Sequence, residues 1–201
     1  PDNVKAIGLE AFWYCYALKS INIGSGLKTI EDRALSECEN LEEINVDKDN
    51  EAFSSNQGVL YNKDKTTIIA FPLAKGGLYV IPDSVTELSC NVIQGAQNLK
   101  SVFIPENVTY IDSDAFWMTN LKNVYYEGTE DQWNNIYHPN YWYDPLENVT
   151  KIFDCSEISP DFNYDGLINA NDVAVVRKAL LNTADAYDVT LDGSFDIIDL
   201  V

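Results

Sequence analysis

The chain has 201 residues, 46% of them hydrophobic and 22% charged, which is enough apolar content for a packed core and speaks against global disorder. Its 32 Asp and Glu against 13 Lys and Arg leave a formal charge of −19. That balance argues against nucleic acid and anionic membrane surfaces as partners, because both are held by clustered Lys and Arg, and it suits hard cations. No apolar run reaches the length of a membrane span.

A unit recurs through residues 1–154. VKAIGLEAFWYCYALKSINI, from Val4 to Ile23, aligns with LKTIEDRALSECENLEEINV, from Leu27 to Val46, at an offset of 23 residues. Val4 meets Leu27, Ile7 meets Ile30, Phe12 meets Leu35, Cys15 meets Cys38, Leu18 meets Leu41 and Ile21 meets Ile44. The pattern returns from Val85 to Ile104 and from Val108 to Tyr126, each time behind a leader, PDSV at Pro82 and PENV at Pro105. The same leader, PDNV, opens the chain at Pro1. Because the later leaders follow Ile81 and Ile104, a strand is expected before Pro1.

Each unit ends in an alternating LxxIxI, a short strand with one buried face. The AFxxC piece spaces its apolar residues for a short helical turn. One unit cannot cover its own apolar face, so stacked copies predict a solenoid. Between Val46 and Val85 the ladder is interrupted. There VLY and TIIAF flank the polar NKDKT, which reads as a β-hairpin. In the strand positions between the apolar ones stand Ser20 and Asn22, Glu43 and Asn45, Ser101 and Phe103, Asn123 and Tyr125. These are expected on the solvent face of the strand row, with Phe103 and Tyr125 as exposed aromatics and a possible ligand surface. After the last copy, IYHPNYWYDP gathers Tyr141, Trp142 and Tyr143. These rings could stack on sugar rings, or could cap the open end of the solenoid.

Four cysteines occur, Cys15, Cys38, Cys90 and Cys155, and four allow three pairings that sequence alone does not choose between. Cys15 and Cys38 share a repeat position and are expected to stack inside as small hydrophobes. With no CxxC and His138 as the single histidine, neither a zinc site nor a histidine base is expected.

VKAIGLEAFWYC and IPDSVTEL resemble the BspA-type leucine-rich repeats of bacterial surface and secreted proteins. SSNQGVLYNKDKTTIIAFP (54–72) resembles that family's irregular hairpin-bearing repeat, and VYYEGTEDQWNNI (124–136) its closing segment. The resemblance implies a repeat domain over 1–154, with a hairpin insertion at about 47–81 and a C-terminal cap at about 127–154. Domains of this kind bind partners, here an unknown protein or polysaccharide.

A short link, 155–160, leads to DFNYDGLINAND. Calcium takes six to eight oxygens, and a loop that wraps it offers them at positions 1, 3, 5, 7, 9 and 12 with glycine at 6. Counted from Asp161, the donors are Asp161, Asn163, Asp165, the Leu167 carbonyl, Asn169 and Asp172, with Gly166 at the turn. A second loop, counted from Asp188, offers Asp188, Thr190, Asp192, the Ser194 carbonyl, Asp196 and Asp199, with Gly193 sixth. Two Ca2+ ions are therefore expected.

A helix pattern, DVAVVRKALLN, follows the first loop. Loop then helix, with Asp rather than Glu at position 12, resembles a dockerin module over 161–201, its second helix cut short at Val201. That resemblance implies a small all-α, EF-hand-like domain that binds a cohesin module of a scaffoldin. Its recognition positions fall on Ala170, Asn171, Arg177 and Lys178, and in the second half on Ile197 and Ile198. Arg177 and Lys178 are the only basic residues in 156–201. The two halves thus differ, which implies one binding orientation.

The expected fold is mixed, a leucine-rich repeat solenoid, α/β or β-rich, followed by the dockerin. The expected role is a secreted, non-catalytic component of a bacterial cellulosome. The alternatives are a fragment of a larger dockerin-bearing enzyme such as a glycoside hydrolase, or an adhesin with a calcium-stabilised module.

Overall fold

The computed structural model describes residues 2–31, 33–137 and 144–155. In chain order its elements are β1 (Ala6–Ile7), β2 (Ser20–Ile23), β3 (Thr29–Ile30), β4 (Glu43–Val46), β5 (Phe53–Asn56), β6 (Val59–Asn62) and β7 (Ile68–Ala70). There follow β8 (Gly77–Val80), β9 (Glu87–Leu88), β10 (Leu99–Ile104), β11 (Tyr110–Ile111), β12 (Asn123–Tyr126), α1 (Glu130–Asn134) and β13 (Thr150–Ile152).

Two kinds of parallel ladder run through the chain. Longer strands pair as β2 with β4, and as a four-stranded sheet β8-β10-β12-β13. Two-residue strands pair as β1 with β3 and β9 with β11. The registers follow the repeat: Ser20 faces Glu43, Ala6 faces Thr29, and Tyr110 faces Glu87. This is a β-solenoid, the β-rich form of the expected fold.

The AFxxC pieces form successive hydrogen-bonded turns, not the expected helical turn. Cys15 N–H donates to Phe12 O at 3.0 Å and Leu18 N–H to Cys15 O at 3.0 Å. A left-handed residue between such bonds stops a helix from forming. Tyr14 (φ 58°), Glu37 (58°), Gly95 (80°) and Met118 (58°) stand at the same repeat position. Side-chain amides tie the turns together. Asn40 Nδ2 donates to Tyr16 O at 2.8 Å, Asn98 to Ala74 O at 3.3 Å and Asn120 to Gln97 O at 3.1 Å. Each asparagine thereby satisfies a carbonyl of the preceding turn that no strand partner reaches.

The core falls into two clusters. One is built from Ile23, Leu27, Leu35, Cys38, Leu41, Ile44, Phe53 and Leu60. The other runs from Val59, Tyr61 and Ile68 through Val102, Ile104, Phe116 and Val124 to Trp133. The wall between them is β6. Its successive side chains point to opposite faces, so Leu60 enters the first cluster while Val59 and Tyr61 enter the second, and all three are fully buried. β6 pairs antiparallel with β5 and with β7, so three strands rather than two form the interruption. The parallel ladder resumes at β8, within the stretch read from sequence as insertion.

Cys38 is buried and its thiol donates to Phe12 O at 3.1 Å, while Cys15 is half-buried; both are free thiols. After β12, Thr129 caps α1, and its side chain and that of Gln132 exchange hydrogen bonds with each other's backbone. Trp133 then packs edge-on against Tyr126 at 5.3 Å, and Ile136 and Leu146 are buried beside it.

Candidate functional site

Three surface features on the described residues could carry a function. The first is the solvent side of the longer strands. In the N-terminal pair it is polar and open, with Ser20, Asn22 and Glu43 exposed and Asn45 half-buried. A shallow cleft lies there, lined by Asn22, Gly24, Asn45 and Asp47. In the four-stranded sheet the row differs. Val102 and Ile104 point to the core, and Ser101 and Phe103 point the other way.

Phe103 was expected to be exposed, yet it is only 2% exposed, and Ser101 8%. Their strand is central, so each side chain has an in-register neighbour on both sides. Those neighbours are Leu78 and Asn123 for Ser101, and Val80 and Tyr125 for Phe103. Neighbours on both flanks exclude water from a row that a lone strand would leave open. Tyr125 is half-buried, and the exposed apolar residue of this face is Leu78.

The second feature is an aromatic strip on the first turn. Trp13 stacks on Tyr14 with ring centroids 4.4 Å apart and an interplanar angle of 26°. Tyr14 lies 5.6 Å from Tyr16. Their exposures are 40%, 48% and 49%. Partial desolvation first, then the charges of Glu39, of the Tyr14 phenol and of Glu37 raise the Tyr16 phenol above its ordinary pKa. No sequence motif marks these three rings. The signal was available in the repeat alignment, where Ser36, Glu37 and Glu39 fill the same positions.

The third is a group of Cys90, Asp112 and Asp114, whose ligand-type atoms lie within 4.8 Å of one another. The Asp112 carboxylate is already engaged. Asp112 accepts from Tyr110 Oη at 2.9 Å and from the Asp114 N–H at 3.0 Å. Desolvation first, then Asp112 and Asp114, push the Cys90 thiol up, so it stays protonated. Burial likewise raises Cys38, and pushes Cys155 up to about 11. None of these three thiols is prepared as a nucleophile.

The remaining predicted positions lie outside the described residues. They are Tyr141, Trp142 and Tyr143, and every donor and recognition position from Asp161 to Asp199. The donor chemistry itself fits calcium. Each loop offers only oxygens, and the carboxylates number three in the first loop and four in the second. No helix among the described residues is long and apolar enough to cross a membrane.

Residues 1–74 and 78–154 match the BspA type leucine rich repeat region in six copies. Residues 159–201 match the dockerin type I domain. Among solved structures, a leucine-rich repeat protein from Eubacterium ventriosum is 28% identical, with a TM-score of 0.55 over 76% of this chain and 36% of its own. A leucine rich cell surface protein from Faecalibacterium prausnitzii is 21% identical, with a TM-score of 0.49 over 70% of this chain and 56% of its own. The pneumococcal vaccine antigen PcpA is 18% identical, with a TM-score of 0.47 over 68% of this chain and 43% of its own. The chain thus spans about a third to just over half of the length of these proteins. No curated protein matches it. Six repeat copies over most of the chain, folded as a solenoid and followed by the 159–201 match, mean that it belongs to the BspA-type leucine-rich repeat family and carries a type I dockerin domain.

Proposed function

We propose that this chain is a secreted, non-catalytic subunit of a cellulosome. Its dockerin, loaded with two Ca2+ ions, docks to a cohesin module of a scaffoldin. The repeat solenoid meanwhile presents a surface to a protein or a polysaccharide. The observation that carries this reading is the joining of a dockerin type I match to a repeat solenoid in one chain. The strongly acidic composition supports the metal, since calcium is held by clustered carboxylates.

In this reading Asp161, Asn163, Asp165, the Leu167 carbonyl, Asn169 and Asp172 hold one ion. Asp188, Thr190, Asp192, the Ser194 carbonyl, Asp196 and Asp199 hold the other. Neutralising these carboxylates makes the ordered loop the low-energy state, so metal binding contributes directly to folding of the module. Ala170, Asn171, Arg177 and Lys178 then face the cohesin, and Ile197 and Ile198 make the second half unlike the first.

The test is calorimetric titration of a panel of scaffoldin cohesins with millimolar calcium and with excess chelator. Nanomolar to micromolar binding that disappears on chelation is expected, as is its loss in Asp161→Ala combined with Asp165→Ala. Equal affinity with and without chelator would refute the calcium dependence. A cohesin panel that retains nothing would turn the reading toward an adhesin with a calcium-stabilised module.

A further inference from the structure

We propose that Cys15 and Cys38 close into a disulfide when a small disulfide oxidant is present, a covalent staple across the first two turns of the solenoid. The inference goes beyond the docking reading and does not rest on it.

Four cysteines allow three pairings, and the repeat geometry selects one pair. The ladders on either side of the turn keep the same offset. Ala6 faces Thr29 in β1 and β3, and Ser20 faces Glu43 in β2 and β4, 23 residues apart in both cases. The turn between them keeps it too. Phe12 N–H donates to Ala34 O at 2.8 Å and Tyr14 N–H to Ser36 O at 3.4 Å. This is the slanted bonding of parallel segments in which Phe12 lies beside Leu35 and Tyr14 beside Glu37. Cys15 therefore lies directly beside Cys38. Neighbouring parallel segments run about 4.8 Å apart, and a disulfide joins Cα atoms about 4.4–6.8 Å apart.

The Cys38 thiol already leans across that gap. It donates at 3.1 Å to Phe12 O, a carbonyl of the first turn that the Cys15 N–H also reaches, at 3.0 Å. Cys38 belongs to the first core cluster and Cys15 packs against it, so both face inward. The other two cysteines stand elsewhere. Cys90 lies beside Asp112 and Asp114, and the Cys155 thiol donates to Ile152 O at 3.3 Å beyond β13.

The exchange balances in two steps. The Cys15 thiolate attacks one sulfur of the oxidant, expels a thiolate and is left as a mixed disulfide. Cys38 then loses its proton to solvent, attacks the Cys15 sulfur and expels the second thiolate. The two protein thiols lose two electrons and two protons, and the oxidant leaves as two thiols. Burial raises the Cys38 thiol above its ordinary pKa, so closure is the slower step and gains speed as pH rises. The bridge encloses a loop of about 24 residues, which restricts the unfolded chain more than the folded one.

The experiment incubates the calcium-loaded chain with oxidised glutathione at alkaline pH. Remaining thiols are then alkylated in urea, and the chain is digested with trypsin without reductant. Peptides 6–19 and 34–48, which carry Cys15 and Cys38, should appear as one species that reductant separates. The thermal midpoint of the oxidised chain should rise by about 5–10 °C over the reduced one. Cys15→Ala, compared with itself with and without oxidant, should lose both the link and the rise, and Cys90→Ser should keep both. Glutathione left on Cys15 beside an alkylated Cys38, a link to Cys90 or Cys155, a link between two chains, or an oxidised chain that melts no higher than the reduced one would each overturn the proposal.

Discussion

Replacing Asn50 by alanine should cost the N-terminal half of the solenoid about 4 kcal/mol, if its four hydrogen bonds each contribute about 1 kcal/mol. The side chain is fully buried. Its Nδ2 donates to Gly24 O at 2.8 Å and to Leu27 O at 3.1 Å, and its Oδ1 accepts from the N–H groups of Ala52 and Phe53, both at 2.8 Å. One amide thus joins the turn after β2 to the start of β5. Alanine leaves four backbone groups without these partners in a site that water reaches poorly. With an m-value of about 2 kcal/mol/M, the urea midpoint should fall by about 2 M. Hydrogen exchange should show the loss first in peptides covering 20–30 and 50–60, which belong to the first core cluster. A midpoint shift below about 0.5 M would refute the claim that this amide organises the junction.

The buried Tyr61 and Tyr79 hydroxyls share a 2.6 Å hydrogen bond. Tyr61→Phe should cost about 1–3 kcal/mol by orphaning the Tyr79 hydroxyl, and the double change to Phe should recover part of it. Burial pushes the Tyr61 phenol from 10.0 up to about 12 and raises the Tyr79 phenol well above its ordinary value. A raised folded pKa means that the unfolded chain loses its proton first. Stability should therefore be complete below about pH 10 and fall as pH rises toward 12, a trend that denaturant midpoints at several pH values would reveal and that the double Phe variant should blunt. Gly95→Ala should cost about 1–2 kcal/mol from backbone strain, since φ is +80° while the added Cβ would meet only Leu73 Cδ1 at an ordinary 3.7 Å. A thermal melt unchanged within a degree would contradict that.

The ladder was legible because an offset of 23 residues in the apolar pattern is also the register of the strands, as Ser20 with Glu43 and Tyr110 with Glu87 show. Two features were not legible, for physical reasons. Alternation along LKSVFI assigns Phe103 to the solvent side, but whether that side is wet depends on how many strands flank β10, and a single strand's pattern does not record this. The run VLY in β6 reads as one half of a hairpin. Its burial on both faces follows from a second core on its far side, and no local periodicity reports that. The turns were read from their inward members, Phe12 and Cys15, both half-buried, so the rings beside them passed as filler. The loops from Asp161 to Asp199 were readable through donor spacing alone, without any help from packing.

The placement of β6 constrains how the molecule comes off the ribosome. The first core cluster draws Phe53 and Leu60 onto residues spread over 23–44, so these early turns emerge with their apolar faces uncovered. They stay so until the hairpin strand has left the exit tunnel. The same strand carries Val59 and Tyr61 for a second cluster whose other members extend to Leu146, and it waits half-covered for them. Synthesis therefore passes through a long interval in which a two-faced apolar strand is exposed at the growing end, and a holding chaperone has its clearest target there.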